Sequence, residues 1–577
     1  MKKLTETLIV LLILLINTPI FCSPEIIDFK PLKDTIGRYE KFEVLVNLSA
    51  DFQNPFDPSE IDFSAEFTSP SGKVWNINGF YNYGGWNSLW MVRFSPDETG
   101  KWQYRLQVKD KTGKASSDPN TFMVNSSQHH GPIRISPNSR YFQYDDGTPY
   151  YGVGLWYNDG YNKFNGGQIL PEKLDELKML GVNFISNFIT PLETMGSGPG
   201  RYDQNICGRL DEILGMCEER DMNLSLNIWF HAYLSETVWP GGNRRWNLNP
   251  YQLVCKAKDF FCSKEAWAYQ EKLYRYMIAR WGYSRSLAYW FVVDEVNGTD
   301  GWASGDSLGA NAWTAKVQEY FKTNDPYHHL TTGTRSGGVN EFWSQGYGIF
   351  DVAAREIYEA QGFPMNMDGK INEKSIHPLT LSYRNYANEI NKLWNGYNKP
   401  AIIGETGWDH TFYEPAMPGY LALYHNALWV SLANGTASTP FWWAYSPYLN
   451  DNIINYQLKS FERFVSAIPF SKLTGLSKTN IAVENGDAFG MKADQMIFGW
   501  VVNPNADVTG AKVSVKSLKN GQYKLKIYHT WHGQFITEET VSVNNGSLSF
   551  MLPVLKIEGG RGHYLGQDAA FILEPVK

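Results

Sequence analysis

Three carboxylates stand at the ends of two short apolar runs in this sequence. Asp294 and Glu295 interrupt "WFVVDEVNG" (residues 290–298), and Glu405 interrupts "KPAIIGETGW" (residues 399–408). Such runs are typical of strands buried on both faces, where a charge is costly unless it is paired or has a chemical task. Two carboxylates about 5–5.5 Å apart can share the cleavage of a glycosidic bond, one attacking carbon and the other donating a proton.

Eight strand-like runs alternate with helical patterns in the middle of the chain, and they are the elements that would bring distant acids together. The strand candidates are Tyr151–Leu155, Asn183–Phe188, Asn223–Ile228, Ala288–Val293, residues 329–334, Phe350–Ala354, Ala401–Gly404 and Thr439–Trp443. Helical patterns such as "PEKLDELKMLG" and "NICGRLDEILGMCEERD" fall between them. Eight alternations predict a (β/α)8 barrel. No G-x-G-x-x-G follows the first strand, which disfavours a dinucleotide-binding fold.

The segments on either side of this block have strand-length runs broken by turn residues. In residues 24–130, "KFEVLVNLSA" and "KWQYRLQVKD" alternate apolar and polar residues, which predicts a β-sandwich of immunoglobulin type. In residues 471–577, "DQMIFGWVVN" and "GQYKLKIYHTWHG" predict a second, C-terminal β-sandwich. The expected chain is therefore multi-domain, with the catalytic barrel at residues 131–470 between two all-β modules.

The N-terminus has the pattern of a secretory signal peptide over residues 1–23. Lys2 and Lys3 precede an unbroken apolar run, Leu8–Ile16, which is too short to span a membrane. The preceding Pro-Ile-Phe disfavours a lipid anchor on Cys22, and no other stretch is long and apolar enough for a membrane span. We expect a secreted, periplasmic or cell-surface protein without stable membrane insertion.

The expected localisation bears on whether the remaining four cysteines form disulfides. An oxidising compartment permits a disulfide between Cys255 and Cys262, which lie seven residues apart in a predicted loop. Cys207 and Cys217 lie in one helical pattern, about 15 Å apart along its axis, and are expected as free thiols. No cysteine and histidine cluster has the spacing of a structural zinc site.

The composition of the chain limits which kinds of molecule it is expected to bind. The chain has 577 residues, with 43% hydrophobic and 19% charged residues, which is globular. A formal net charge of −7 disfavours a nucleic-acid partner. The aromatic fraction of 15% fits either well-filled cores or platforms on which sugar rings stack. The sequence leaves the oligomeric state open.

Barrel geometry predicts one pocket for the acids, because the carboxyl ends of the strands meet at one mouth. Glu295 follows the fourth predicted strand and Glu405 ends the seventh. Glu295 is expected to be the proton donor, held protonated by apolar surroundings for which the candidates are Trp290, Phe291 and Trp302. Glu405 is expected to be the ionised nucleophile, with a hydrogen bond from Tyr358 at the end of the sixth strand.

These motifs resemble the clan A glycoside hydrolases, which include the cellulase-type family 5. In that family the acid/base glutamate ends strand four and the nucleophile ends strand seven, positions that "VVDEVNG" and "IIGETGW" match. A tryptophan at the end of strand eight commonly forms the floor of the sugar-binding site in that family. The segment "TPFWWAY" has Trp442 and Trp443 at this position. The terminal segments "LWMVRFSPDETGKWQYRL" and "NGQYKLKIYHTWHG" resemble the β-modules of such exported enzymes. The resemblance implies retaining hydrolysis of a β-linked polysaccharide or oligosaccharide, with neither metal nor organic cofactor.

Two positions depart from the family 5 pattern. Asp294 stands where the family has the asparagine that binds the sugar 2-hydroxyl, and Asp294 is expected either to contact substrate or to orient Glu295. At the end of strand two, Ser186 and Asn187 replace the family's arginine. These departures leave the sugar and the family within the clan open.

Other residues are candidates by their position at the barrel mouth. Substrate contacts are expected from four residues, His231, Trp229, Trp156 and Asn187. One of Trp442 and Trp443 is expected to face the sugar and the other the helices, because successive strand residues point to opposite faces. Glu356 is a rival carboxylate near strand six, and it is expected to pair with its neighbour Arg355 rather than to act as the nucleophile. Two histidine pairs lack a third ligand, so no metal site is predicted there (His129–His130 and His328–His329).

Two other functions stay open. The first is a non-catalytic, lectin-like barrel that binds carbohydrate, which Asp294 and the absent strand-two arginine motivate. The second is a lyase, for which Arg335 in "GTRSGG" is the one cue. The sequence leaves open which glycan is bound, endo or exo attack, and the role of the flanking modules.

Overall fold

The computed structural model describes residues 23–84, 87–158, 169–188, 191–238, 244–336, 342–358, 379–407, 420–445, 452–555 and 567–576. These form two compact units. The first comprises the chain up to Ser127 together with Lys272–Tyr283, and the second comprises Gln128–Glu271 and the chain from Ser284 onward. Apart from Ser23, the predicted signal peptide lies outside the described residues.

The first unit contains two β-sheets. The four-stranded antiparallel sheet has the order Glu25–Pro31, Phe42–Ser49, Asn87–Phe94, Phe80–Gly84. The other has the order Thr35–Gly37, Asn120–Asn125, Gly100–Asp110, Ile61–Thr68, Val74–Asn78, with Gly113–Ser116 beside the third of these. The Phe42 ring of the first sheet lies 3.8 Å from the Phe122 ring of the second. The two sheets therefore pack face to face around an aromatic core.

The second unit opens with a small antiparallel sheet and continues with eight parallel strands. The small sheet consists of Ile133–Ile135, Phe142–Tyr144 and Pro149–Tyr150. The parallel strands are β1 (Gly154–Asn158), β2 (Phe184–Phe188), β3 (Asn223–Phe230), β4 (Leu287–Asp294), β5 (Leu330–Thr332), β6 (Ala353–Tyr358), β7 (Ala401–Gly407) and β8 (Trp443–Tyr445).

Helices connect these strands. They are α1 (Pro171–Met179), α2 (Gln204–Glu219), α3 (Lys264–Trp281), α4 (Asp300–Ala303), α5 (Ser307–Asn324), α6 (Ser344–Ile349), α7 (Leu379–Gly396), α8 (Tyr420–Ala433) and α9 (Asn452–Val465). Short 3-10 turns lie at His231–Leu234, Trp246–Leu248, Pro250–Leu253, Ala257–Asp259, Val296–Gly298 and Phe470–Lys472. Every consecutive pair of parallel strands has at least one helix between its members, as the alternating sequence pattern predicts.

Hydrogen bonds link the eight strands in cyclic order. Six form one sheet in the order β5-β4-β3-β2-β1-β8, and β6 pairs with β7. The Val352 N–H donates to the Thr331 carbonyl at 3.1 Å, which joins β5 to the segment entering β6. The Phe441 N–H donates to the Ile403 carbonyl at 2.9 Å, which joins β7 to the segment entering β8. All pairings of the eight strands are parallel, so their carboxyl ends lie on one side.

The apolar runs explain why these segments are strands. All eight residues of β4 are buried, and so are all eight of β3, as continuous bulky runs predict for parallel strands covered by helices. Each of the eight strand candidates overlaps an observed strand, although β1 begins three residues later than expected, at Gly154. Trp290 points to the helices, since its indole N–H donates to Asp325 at 2.9 Å.

The last part of the second unit is all β. A six-stranded sheet has the order Ser477–Lys478, Asp487–Lys492, Ile497–Val502, Asp568–Pro575, Gly521–His529, Gln534–Val543. A three-stranded sheet has the order Ile481–Val483, Lys512–Lys516, Ser547–Met551. Buried side chains from both sheets, among them Leu525, Phe571, Val513 and Phe550, form one hydrophobic core. The alternating patterns in this part of the sequence reflect that shared core.

All four described cysteines are free thiols. Cys207 and Cys217 are buried on α2, as expected. The disulfide considered between Cys255 and Cys262 is absent, because the Cys262 thiol donates a hydrogen bond to Asp306 at 2.9 Å instead. Within the residues described, every helix falls short of the length and apolarity that crossing a membrane requires.

Candidate active site

Glu295 follows β4 in a left-handed backbone conformation, with φ 46° and ψ 59°, which few residues other than glycine adopt. Two hydrogen bonds hold this turn against the segment after β5. The Glu295 N–H donates to the Thr334 hydroxyl at 3.0 Å, and the Val296 N–H donates to the Thr334 carbonyl at 3.0 Å. The turn interrupts the two-faced alternation of the strand, so the side chains of Asp294 and Glu295 can serve the same pocket. Unusual backbone of this kind is concentrated at functional sites.

Strands β6 and β7 place a second pair of acids side by side. Glu356 is the register partner of Glu405, next to an irregularity in the pairing at Arg355. The Arg355 guanidinium forms a buried ion pair with Glu389 of α7 at 2.7 Å. The expectation that Glu356 pairs with Arg355 is therefore wrong. Neighbouring strand residues point to opposite faces, so Arg355 meets the helix while Glu356 points away from it.

The acids from these strand ends form one cluster. Asp294, Glu356 and Glu405 each contribute a carboxylate oxygen, and the three oxygens lie within 4.8 Å of one another. All three residues are buried. Glu295 joins the cluster through a hydrogen bond between its carboxyl and that of Glu356. The term carboxyl cluster is used below for these four residues.

Two further side chains contact the carboxyl cluster. The Tyr358 hydroxyl donates a hydrogen bond to Glu405 Oε1, which is the contact expected from the sequence. His231, the first residue after β3, places its Nδ1 atom 3.4 Å from Asp294 Oδ2 and 3.2 Å from Glu295 Oε2. About 15% of the Glu295 side chain is exposed. Glu295 can therefore contact a bound molecule while it also contacts His231.

Burial and mutual repulsion favour the protonated forms of these acids. Burial raises the pKa of Glu295 well above its usual value, and the charges of Asp294 and Glu405 add to this. Burial, followed by the charges of Glu295 and Asp294, likewise raises the pKa of Glu356. For Glu405, burial and then Glu356 and Asp294 raise the pKa, while the Tyr358 hydrogen bond opposes them. The pocket therefore favours the protonated forms of Glu295, Glu356 and Glu405 more than water does.

The same spacing of oxygens has a second chemical interpretation. Hard cations such as Ca²⁺ and Mg²⁺ are bound by carboxylate oxygens, and three convergent oxygens could contribute to such a site. A cation would require the acids to be ionised together, whereas burial and repulsion favour shared protons. The absence of a metal cofactor stays a prediction, which assay before and after dialysis against EDTA would test.

The tryptophan candidates divide into interior and helix-facing residues. Trp156 is fully buried, and its indole N–H donates to the Gly404 carbonyl at 2.9 Å. Trp229 is packed edge-on against Tyr251 and Phe260. Trp442 faces the helices, with its ring 4.9 Å from that of Tyr424 on α8. All three are thus packed inside the fold and support the strand ends rather than forming an open platform.

The other candidates have different positions. Asn187, near the end of β2, is buried, and its side-chain amide donates to the Tyr157 carbonyl. The backbone of Trp443 lies in β8, paired with Trp156 of β1, while its side chain lies outside the described residues. Trp302 lies beside Arg335, whose guanidinium is 5.4 Å from the indole ring.

Sequence reasoning gave Glu356 the wrong partner and missed Thr334. Strand alternation applied to "AAREIY" could have identified Glu356, because Arg355 and Glu356 cannot face the same side of a regular strand. Thr334 gave no signal in the sequence. Its backbone and hydroxyl hold the turn at Glu295, and its hydroxyl also lies 3.3 Å from Asp294 Oδ1.

Part of this chain is similar to a known domain family, and its fold is similar to that of solved structures. Residues 35–109 match the model of a domain of unknown function, DUF5060. No curated protein matches the chain significantly. A crystal structure from Bacteroides vulgatus, of a protein provisionally described as a glycoside hydrolase, is 16% identical with a TM-score of 0.63. The match covers 94% of this chain and 100% of that one, so the two proteins share a fold.

Two other solved glycoside hydrolases have weaker similarity. A family 5 mannosidase from Rhizomucor miehei is 14% identical with a TM-score of 0.44, covering 60% of this chain and 100% of that one. A family 39 enzyme from Bacteroides cellulosilyticus is 14% identical with a TM-score of 0.38, covering 90% and 96%. Scores in this range carry no argument about function. The shared fold rests on the Bacteroides vulgatus structure.

Proposed function

We propose that this protein is a glycoside hydrolase that cleaves O-glycosidic bonds with retention of configuration, with Glu405 as nucleophile and Glu295 as general acid and base. The carboxyl cluster carries the proposal. Acids from the ends of strands distant in sequence converge in one buried pocket. Retaining cleavage requires two carboxyl groups that flank a single bond.

Glu405 has the surroundings of a nucleophile. The hydrogen bond from Tyr358 stabilises its ionised form against the effect of burial. In the first step Glu405 attacks the anomeric carbon while Glu295 transfers its proton to the departing glycosidic oxygen. In the second step Glu295 removes a proton from water, the water oxygen bonds to the anomeric carbon, and the bond to Glu405 breaks. Both carboxyls then return to their starting states.

Glu295 has the surroundings of a proton donor. Burial and the nearby charges of Asp294 and Glu405 raise its pKa, which keeps it protonated near neutral pH. Asp294 contacts both His231 and Thr334. We assign Asp294 the task of orienting Glu295, which is one of the two roles that the sequence left open for Asp294. We assign the same task to His231, for which the sequence predicts substrate contact.

The architecture fits this assignment. Eight parallel strands in cyclic order with intervening helices support a (β/α)8 barrel at residues 131–470, whose catalytic groups stand at the strands' carboxyl ends. Residues 24–130 are assigned as an immunoglobulin-like module and residues 471–577 as a second β-sandwich. Residues 1–23 are assigned as a signal peptide that directs export.

A β-linked glycan is the proposed substrate. Trp443 is assigned as the platform for a sugar ring, because the sequence predicts that one of the two tryptophans contacts the sugar and Trp442 faces α8. The buried residues Trp156, Trp229 and Asn187 are assigned a supporting role around the pocket. They hold the strand ends on which the acids stand.

Substitution of the two glutamates tests the proposal. Reducing-sugar release and aryl glycoside hydrolysis would be measured over a panel of glucans, mannans, galactans and algal glycans. Glu405→Gln should abolish activity. Glu295→Gln should reduce it by roughly 10²–10⁴-fold for poor leaving groups, and much less for dinitrophenyl glycosides, whose leaving group needs no proton.

The matched control is Glu212→Gln, because Glu212 is an exposed acid of α2 and its replacement should leave hydrolysis unchanged. Undiminished hydrolysis by Glu405→Gln contradicts the proposal. Glycan binding by the wild-type chain without any cleavage supports the lectin-like alternative.

A further inference from the structure

Glu356 lies close to both proposed catalytic acids, although the proposed mechanism gives it no task. Its side chain is completely buried on β6. One of its oxygens lies within 4.8 Å of an oxygen of Asp294 and of Glu405, and its carboxyl is hydrogen-bonded to that of Glu295. A charged group in this position would repel both proposed catalytic acids.

A hydrogen bond between two carboxyl groups requires a proton on one of them. Among the described residues, no side chain with a fixed proton donates a hydrogen bond of good geometry to either oxygen of Glu356. The Thr334 hydroxyl is adjacent, but its single proton is within reach of Asp294 at 3.3 Å. The Tyr358 hydroxyl donates to Glu405. While Glu295 holds its own proton, either carboxyl can supply the proton that the pair shares. Once Glu295 has given that proton to the leaving group, only Glu356 can donate the hydrogen bond.

We propose that Glu356 is a positioning residue: it stays protonated through the catalytic cycle and donates a hydrogen bond to Glu295. This inference rests on the proposed function. When Glu295 gives its own proton to the leaving group, the resulting carboxylate accepts the Glu356 hydrogen bond. When Glu295 takes a proton from water, Glu356 keeps its own. Glu356 therefore undergoes no net change.

The surrounding charges are consistent with a neutral Glu356. The titratable groups that face it or act on it come from several elements, and they are Asp294, Glu295, Glu405, Tyr358 and Tyr347. None of these side chains is a cation. His231 contacts Asp294 and Glu295 instead. Burial and like charges hold the Glu356 proton in place, as in other sites where a neutral carboxylic acid serves as a hydrogen-bond donor.

Two substitutions of Glu356 test whether it acts as a hydrogen-bond donor to Glu295. Glu356→Gln keeps the shape and a hydrogen-bond donor, and it should retain activity within about threefold. Glu356→Met keeps the length but removes the donor, and it should lose roughly 10- to 100-fold in kcat/KM on poor leaving groups. The loss should be smaller on dinitrophenyl glycosides, because the missing bond acts through the general acid.

The pH profile distinguishes this role from simple packing. Without the donor, the ionised form of Glu295 is less stable, so the alkaline limb of kcat/KM for Glu356→Met should move up by about one to two pH units. Glu356→Gln should keep the wild-type limb. An inactive Glu356→Gln, or an unshifted limb in Glu356→Met, overturns the inference. Both variants would first be checked for a wild-type circular dichroism spectrum.

Infrared spectroscopy tests the proton itself without a substrate, and it applies even where Glu356→Met does not fold. The difference spectrum of wild type minus Glu356→Gln at neutral pH should contain the carbonyl band of a protonated carboxyl. Its replacement by carboxylate bands overturns the inference. A wild-type protein that is inactive on every glycoside contradicts the proposed function. If the wild type is active and both Glu405→Gln and Glu356→Gln are inactive, the proposed function stands and only this inference is contradicted.

Discussion

At the scale of single residues, the carboxyl cluster joins acids from the ends of β4, β6 and β7. Glu295 and Glu405 were recognisable because each acid interrupts an apolar run, and the Tyr358 contact with Glu405 is present as expected. Glu356 was paired with Arg355 by adjacency, but strand alternation sends the two side chains apart. The left-handed turn at Glu295 and its support by Thr334 depend on contacts between strands, which local patterns do not encode.

Tyr358 should control the protonation of the nucleophile. Its hydroxyl lowers the pKa of Glu405 against the larger effect of burial, so removing the hydroxyl in Tyr358→Phe should raise that pKa. The acid limb of the kcat/KM profile should then shift to higher pH, and kcat should fall roughly 10- to 100-fold, since the hydrogen bond is to a charged group.

Tyr523→Phe is the control for this measurement, because the Tyr523 hydroxyl donates to the Lys519 carbonyl at 3.1 Å in the C-terminal sheets. Its pH profile should match the wild type. An acid limb that is the same in Tyr358→Phe and wild type would exclude Tyr358 from the ionisation of the nucleophile.

At the scale of elements, the order of strands and helices was predictable and their limits were not. Hydrophobic periodicity located all eight strands, yet β1 and β6 begin three residues later than expected and β8 begins four residues later, because hydrogen bonding between strands decides where pairing starts. The direction of each aromatic side chain was likewise set by packing. Trp442 and Trp290 both face helices, and a run such as "FWW" or "YWF" gives no sign of this.

The loop after β2 depends on a buried acid, Glu193. Glu193 accepts a hydrogen bond from the Gly200 N–H at 2.6 Å, and burial raises its pKa to about 8. The folded protein therefore keeps this proton between the unfolded pKa near 4.5 and the folded value, while the unfolded chain releases it. The stabilisation is complete below that window and is lost as the pH rises through it.

Glu193→Gln should therefore remove part of the fall in stability between about pH 5 and about pH 9. The measurement is the denaturation midpoint in urea at both pH values. The exposed acid Glu212 again supplies the control, since Glu212→Gln should leave the pH dependence as in wild type. An equal fall in stability in Glu193→Gln and wild type would show that Glu193 is ionised in the folded protein.

At the scale of the whole molecule, the eight parallel strands and the C-terminal sheets lie in one unit, whereas the sequence predicted them as separate modules. What it did not indicate was how the C-terminal sheets attach to the helices of the same unit. His425 of α8 pairs with Asp568 at 2.9 Å, and the indoles of Trp500 and Trp531 donate to the same carboxylate. His425 and Asp568 are 143 residues apart, so no local pattern relates them.

This buried network should matter for stability and not for chemistry. Burial alone would raise the pKa of Asp568, but His425 and Trp500 hold it below its usual value. Asp568→Asn would weaken the acceptor that His425, Trp500 and Trp531 share, and leaving such buried donors unsatisfied typically costs about 1–3 kcal/mol. The free energy of unfolding should fall accordingly, while kcat of the folded fraction should stay unchanged.

The control is Glu538→Gln, which breaks the exposed ion pair with Lys524 and should cost less than about 1 kcal/mol. Equal losses of stability in the two variants would mean that the His425 network contributes no more than a surface pair. A loss of kcat in folded Asp568→Asn would instead connect the C-terminal sheets to catalysis.

The central claim is that Glu405 forms a covalent bond with the sugar during turnover, and trapping that bond tests it most directly. A glycosyl fluoride carrying fluorine next to the anomeric carbon slows the second step, so the intermediate accumulates. Peptide mass spectrometry of the inactivated enzyme should place the sugar on Glu405, and Glu405→Gln should stay unlabelled. Labelling of Glu356 or Asp294, or hydrolysis of natural glycans with inversion and no adduct, would contradict the account.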